Sequence, residues 1–393
     1  MHPCTDNSSN TLPKNKIHSI LVISDPPVAP GYLPRLRHLC DYFLQKGMEV
    51  TLLTEECQPL AFEHSYPVHT IRMYSGSTLD WFIKTVWSLL TDWHDRAFAR
   101  RYLTAQRSNS EAVFDAVLCT SFNYFPLGAA QRIAKQLNVP LICDIRDLEE
   151  QVDDSTYQYR HQVWYTMPFR HLYRAIYTRR RNRVLRSADI ITTVSPWHAQ
   201  FIKNLSGEAV YTIYNGFDDI QFYPEHIPTD RFTITYIGSL FEWQKPALEK
   251  VRKVIDELNQ SSIINHQSSI FLDLHTPQSN PIPHDQLGDS IRRSSMMLVL
   301  TSEHTHGMLT TKFYEALGCE KPILCVPSDK GALAELIDYT HAGIATEDTE
   351  EMKTFIMEQY RQWQQHGFTH QRTRHRNEFT RTAQYDKLYN TCL

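Results

Sequence analysis

Short apolar runs alternate with stretches of helical spacing along most of the chain. SILVIS, Ser19 to Ser24, predicts a strand buried on both faces of a parallel sheet. After the loop DPPVAPGY, the segment LPRLRHLCDYFLQKG places Leu33, Leu36, Leu39, Cys40 and Phe43 at helical spacing and stops at Gly47. EVTLLT reads as the next strand. The order recurs in AVFDAVLCTS, a helix from Ala129 to Leu137, and VPLICDI, so a doubly wound α/β domain is predicted. ADIITTVS, Ala188 to Ser195, is a further buried strand, and Ser195-Pro196 supplies an N-cap and a first-turn proline for the next helix.

Past the turn at Asn215-Gly216 and the proline-bearing QFYPEHIPTD, the pattern restarts. FTITYIG, SIFLDL, MMLVLT and KPILCV read as strands, with PALEKVRKVIDELNQ and TTKFYEALG as helices among them. The predicted organisation is a disordered N-terminus over residues 1–18, a first α/β domain over 19–220 and a second over 221–372. Residues 373–393 are expected to form a helix that packs back on the first domain. At 393 residues the chain exceeds what one core usually fills, which agrees with two domains.

Composition narrows the function classes. Hydrophobic residues make up 41% and charged residues 21%, the balance of a globular protein. A net charge of -4 argues against a general nucleic-acid binder, which needs a positive excess to displace phosphate counterions. The eight cysteines are scattered without a Cys-x-x-Cys pair, and several lie in apolar runs, which predicts buried free thiols rather than disulfides or zinc. The first nineteen residues lack the apolar core of a signal peptide, and no apolar run reaches the roughly 20 residues that span a bilayer. The expected location is cytoplasmic, at most peripheral on the inner membrane face.

Ligands of open α/β sheets bind outside the carboxyl ends of the strands, which directs attention to the loops after MMLVLT and TITYIG. SEHTHGML leads into Thr310 and Thr311 at a helix start, whose free N–H groups and positive dipole end suit a diphosphate. Lys312 adds a charge, and Glu315, one turn on, offers an acceptor for a ribose diol. Helix logic alone equally allows capping threonines and solvated side chains.

The wider pattern resembles the GT-B glycosyltransferases, particularly the retaining, family-4-like enzymes. TTKFYEALGCEKPIL matches their T-G-K-[LI]-[FY]-E-[AY]-L-A-[AS]-G-K-P-I-L segment, and YIGSLFEWQKPALEKV looks like their first C-domain strand with its glycine turn and downstream basic residue. ADIITTVSPWHAQFI followed by IYNGFD, and LICDIRDLEE earlier, are similar to further family segments in the same order. The resemblance implies two Rossmann-like domains facing a central cleft and a nucleotide-sugar donor, with no cofactor and no metal. By it, Glu315 binds the donor ribose, Lys245 and Lys312 neutralise the diphosphate, and Gly31, Gly238, Ser239, Leu309, Thr310 and Thr311 approach the donor. Arg146, Asp147 and Ser195 fall on the acceptor side of the cleft, with Asp144 beside them.

Three departures qualify this pattern. Gly307 stands where the family's first carboxylate is common, the N-domain glycine loop is reduced to Ala29-Pro30-Gly31, and His275 to Ser295 is too short for the usual strand and helix. His304 and His306 have metal-ligand spacing without supporting ligands, so no metal is predicted. Residues 157–186 hold eight arginines, seven aromatics and no acid, and residues 81–93 hold three tryptophans among aliphatics. Either stretch suits an anionic membrane surface, or ordinary packed helices. The expected activity is transfer of a sugar, with retention, to a glycan or lipid-linked acceptor in surface polysaccharide synthesis. A non-catalytic partner subunit and a nucleotide-sugar epimerase are the alternatives.

Overall fold

The computed structural model describes residues 17–25, 33–56, 64–109, 113–121, 124–151, 169–261, 269–302 and 305–393. Gly31, His304, residues 157–168 of the arginine-rich stretch and residues 1–16 of the expected disordered terminus lie outside these. Two units emerge: one of Met1–Val194, His198–Ile213 and Tyr385–Leu393, the other of Ser195–Trp197 and Tyr214–Gln384.

The first unit holds strands β1 (Ser19–Ser24), β2 (Glu49–Glu55), β3 (Val68–Ile71), β4 (Ala116–Ser121), β5 (Leu141–Ile145), β6 (Ile190–Thr193) and β7 (Val210–Thr212). All pair in parallel, in the order β3-β2-β1-β4-β5-β6-β7. Around them run helices α1 (Leu33–Gln45), α2 (Thr78–Thr91), α3 (Trp93–Asn109), α4 (Leu127–Leu137), α5 (Arg170–Leu185) and α6 (Pro196–Ser206). The all-apolar runs follow from this layering, because each strand feeds two cores. Ile20 and Val22 of β1 join Leu36, Leu39 and Phe43 of α1 with Tyr385 and Leu388, whereas Leu21 and Ile23 join Phe98 of α3 and Ile133 of α4.

The second unit repeats the scheme with β8 (Phe232–Ile237), β9 (Ile270–His275), β10 (Met296–Leu300), β11 (Ile323–Val326) and β12 (Gly343–Ala345). Its parallel order is β12-β11-β10-β8-β9. The helices are α7 (Lys245–Gln260), α8 (Leu287–Arg293), α9 (Thr311–Gly318), α10 (Ala332–Thr340), α11 (Thr349–His366) and α12 (Arg381–Cys392), whose residues from Tyr385 return to the first unit. Met296, Leu298 and Leu300 face Val251, Ile255 and Ile356, while Met297 and Val299 face Phe313, Leu317 and Leu333. From β8 the chain goes to β9 on one side, then to β10 on the other. That reversal opens a crevice beyond the carboxyl ends of β8 and β10, the place where such sheets hold ligands.

The stretch between β9 and β10 is as lean as its sequence suggests, with one Thr276–Ser279 bridge, a 3-10 turn at His284–Gln286 and the seven-residue α8. Gly318 is required for packing rather than for its backbone angle. It is the last residue of α9, and a Cβ there would stand 2.8 Å from Phe217 Cδ2 and 2.8 Å from Phe222 Cβ, so the glycine permits close packing. The left-handed residue is Glu320, at φ 51°.

Candidate functional site

The site in the second unit is built where β8 ends. Gly238 follows β8 with φ +126°, a conformation that favours glycine, and its N–H donates to His275 O at 2.8 Å. The next residues are pinned by the buried Gln244. Its Oε1 accepts from Phe241 N at 2.9 Å, and its Nε2 donates to Leu300 O at 2.9 Å. Tyr236 OH donates to Ser239 O at 2.6 Å, which fixes the turn from the strand side. These bonds hold Gly238 and Ser239 at the mouth of the β8–β10 crevice.

The other wall is the start of α9. Thr310 caps it, with φ -79° and ψ 144°, and its hydroxyl accepts a long bond of 3.4 Å from Lys312 N. Lys312 reaches back to β8: its Nζ lies 5.4 Å from the centre of the Tyr236 ring. A Cβ added to Gly238 would stand 2.7 Å from Lys312 Cε and 2.9 Å from Nζ. The ammonium thus rests between an aromatic face and a bare backbone. Burial lowers the Lys312 pKa below the ordinary lysine value, with Glu315 opposing the shift. Among the described residues no carboxylate comes within ion-pair distance of its Nζ, so a partly desolvated cation faces the crevice without a direct counter-charge.

Glu315 sits one turn beyond Lys312 on the same side of α9. Burial pushes its carboxyl above the ordinary range, against the lowering influence of Lys312, Arg381 and the Thr311 hydroxyl. A half-dry cation and a half-dry acid, three residues apart beside a helix N-terminus, can receive an anion at one end and a diol at the other.

Gly238, Ser239, Thr310, Thr311, Lys312 and Glu315 therefore come together as the sequence suggests. Lys245 differs, because its Nζ pairs with Glu242 at 2.7 Å and its side chain is 54% exposed at the start of α7. Leu309 commits its side chain to the core beneath α9. Of the residues expected on the acceptor side, Ser195 is fully buried ahead of α6 and falls in the second unit, not in the first as the predicted boundaries had it. Asp144 lies inside β5 rather than after it, accepting from Thr120 and Thr192, each at 2.9 Å, with Arg35 at 3.5 Å. Those bonds tie three strands and α1 together, so its role is structural. Arg146 and Asp147 do follow β5, and burial raises the Asp147 carboxyl against the influence of Arg146 and Arg35. His306 Nδ1 donates to Asp329 O at 2.6 Å, which fixes its tautomer and ties its loop to the start of α10. Among the described residues no group of three or more His, Cys, Asp or Glu could hold a metal ion.

Tyr236 and Gln244 are the members that sequence reasoning missed. Tyr236 stands two residues before Gly238 in β8, and a strand tyrosine beside a glycine turn was the available signal.

Residues 35–220 match the family model described as Glycosyltransferase Family 4. The whole chain is similar to the crystal structure of Anabaena Alr3699/HepE in complex with UDP, at 12% identity over 95% of this chain and 94% of that one, with a TM-score of 0.57. Residues 35–220 of this chain are thus family-4-like, and the chain has the GT-B fold. A glycosyltransferase from Rickettsia africae ESF-5 is similar at 13% identity over 96% and 98% of the two chains, with a TM-score of 0.57. No curated protein sequence matches this chain. At such identities the structural likeness speaks to its fold, two α/β units with parallel sheets, and leaves donor and acceptor to the geometry of the site.

Proposed function

We propose that the enzyme transfers a sugar from a nucleotide-sugar donor to a glycan or lipid-linked acceptor, with retention, in surface polysaccharide synthesis. The observation that carries this reading is Lys312 laid against Gly238 at the β8–β10 crevice. Breaking the sugar–phosphate bond leaves a nucleoside diphosphate whose added charge must be met as it develops. In this reading Lys312 meets it from a partly dry position, the N-terminus of α9 adds its dipole, and Gly238 lets the phosphates approach the backbone. Glu315 accepts from the ribose diol. Lys245 exchanges its exposed partner Glu242 for the diphosphate, and neither a metal nor a cofactor is required. Arg146 and Asp147, after β5, serve the acceptor. The binding of UDP by Anabaena Alr3699/HepE supports a nucleotide donor.

A second reading, a non-catalytic partner subunit, is favoured by the buried Gly307 where a carboxylate is common in the family. One screen separates the two. A ligand bound only by the native state raises the melting temperature, so UDP-, GDP-, TDP- and ADP-sugars are tested in turn, followed by product analysis with the one that binds. The enzyme reading expects a shift with one nucleotide class and turnover that Glu315→Ala abolishes. A shift without turnover favours the subunit, and no shift with any nucleotide contradicts a donor site. We place the reaction in the cytoplasm, against the inner face of a membrane.

A further inference from the structure

Helix α2 is built inside out. Leu79, Phe82, Ile83, Val86, Trp87 and Leu90 recur at the i, i+3, i+4, i+7 spacing of one helical face, yet they are 37–68% exposed. The most buried positions of the helix are polar, with Thr85 at 1% and Ser88 at 4% exposed, beside the half-buried Trp81 and Leu89. Their hydroxyls bond back to Trp81 O at 2.8 Å and Lys84 O at 2.7 Å. Lys84 donates to Met73 O at 3.1 Å and to Asp80 at 2.7 Å. A helix of a water-exposed surface has the opposite arrangement, and six contiguous large apolar side chains mark an interaction face.

The helix is also firmly seated. Arg180 of α5 donates to Ser88 O at 2.8 Å and Leu89 O at 2.6 Å, gripping the last-turn carbonyls, and Tyr173 packs against Leu89. Asp92, at φ 57°, ends α2 and binds Arg132 at 2.7 Å. The apolar face is therefore held outward by the fold.

Charge identifies what covers it. α5 carries six arginines and no acid, and two of them, Arg180 and Arg181, are spent on internal bonds. The exposed Arg179 and Arg183 share a surface hollow with Leu90 and Ile176, so cationic groups flank the end of the apolar stripe. We propose that α2 lies in the plane of an anionic bilayer, its outer face among the acyl chains and Arg179 and Arg183 among the headgroups. Fourteen residues span about 21 Å, too little to cross. A second copy of this chain fits less well, because a two-fold contact would set these arginines against themselves. This surface sharpens the membrane placement above, and it is independent of donor chemistry, which is read in the other unit.

The test uses the full chain with phosphatidylcholine vesicles, with and without phosphatidylglycerol, at two salt concentrations. Wild type is expected to co-sediment with the anionic vesicles at low salt and to be released by high salt. Phe82→Asp/Trp87→Asp and Arg179→Glu/Arg183→Glu should each weaken binding at least ~tenfold, with melting temperature and nucleotide-induced shift unchanged. The proposal is overturned if wild type ignores anionic vesicles, or if Phe82→Asp/Trp87→Asp binds them equally. It is also overturned if wild type is a dimer that this double substitution merely dissociates.

Discussion

Lys312 and Gly238, seventy-four positions apart in the chain, are in contact: a side-chain carbon at 238 would stand 2.7 Å from Lys312 Cε. The glycine is thus required twice, for its φ of +126° and for the space the ammonium occupies. Gly238→Ala should strain the turn by ~1–3 kcal/mol and displace the lysine. Nucleotide affinity should fall at least ~tenfold in calorimetric titration, more than the loss of melting temperature alone would suggest.

The pH dependence of donor binding follows from two opposite shifts. Lys312 loses its proton at lower pH than an ordinary lysine, because burial disfavours the ammonium, so affinity for a diphosphate should decline early as pH rises. Lys312→Arg, which stays charged, should remove that alkaline decline. Glu315 takes up its proton at higher pH than an ordinary glutamate, so affinity should also fall as pH drops towards the acid range. Glu315→Gln should flatten the acid limb. Titrations of nucleoside diphosphate across pH with these two variants check both limbs.

Gln244 is the pin of the loop after β8. Gln244→Leu would strand the Phe241 N–H and the Leu300 carbonyl, at a cost of about 1–3 kcal/mol. Hydrogen exchange at residues 238–244 should speed up while the cores of both units keep their protection. Unchanged exchange there would show that the loop is held by something else.

In the first unit, Arg181 joins Glu149 at 3.1 Å and Glu150 at 2.5 Å while 1% exposed. Burial already pushes the Glu149 carboxyl up to about 7, against the lowering influence of Arg181. Arg181→Met would leave that acid without its cation and should destabilise the unit by ~3–5 kcal/mol. A raised carboxyl gives its full contribution below the unfolded value and loses it as pH rises through the folded one. The variant's melting temperature should therefore fall with rising pH across the neutral range more steeply than that of wild type.

Much of this was legible in the chain. SILVIS and MMLVLT read as doubly buried strands because both faces of their sheets are covered, and Thr310-Thr311-Lys312 read as a helix start because cap chemistry is local. Tertiary relations were not legible. The placement of Lys312 on Tyr236, the pairing of Lys245 with Glu242 and the burial of Asp144 between two threonines arise from neighbours distant in sequence or from side-chain choice. The three tryptophans of residues 81–93 suggested an interfacial stretch, yet only Trp87 belongs to the exposed stripe of α2. β3 gave no signal, since its four residues VHTI are half-buried or exposed at the sheet edge.

In the proposed reaction a donor diphosphate sits between Gly238 and the start of α9 and is held there by Lys312. Calorimetric titration of the nucleoside diphosphate that stabilises wild type, repeated on Lys312→Ala, checks this placement. The expected result is a loss of affinity of at least ~tenfold with an unchanged melting temperature, since the charge removed is partly buried and faces the ligand. Equal affinity in wild type and Lys312→Ala would show that the diphosphate is not held by Lys312.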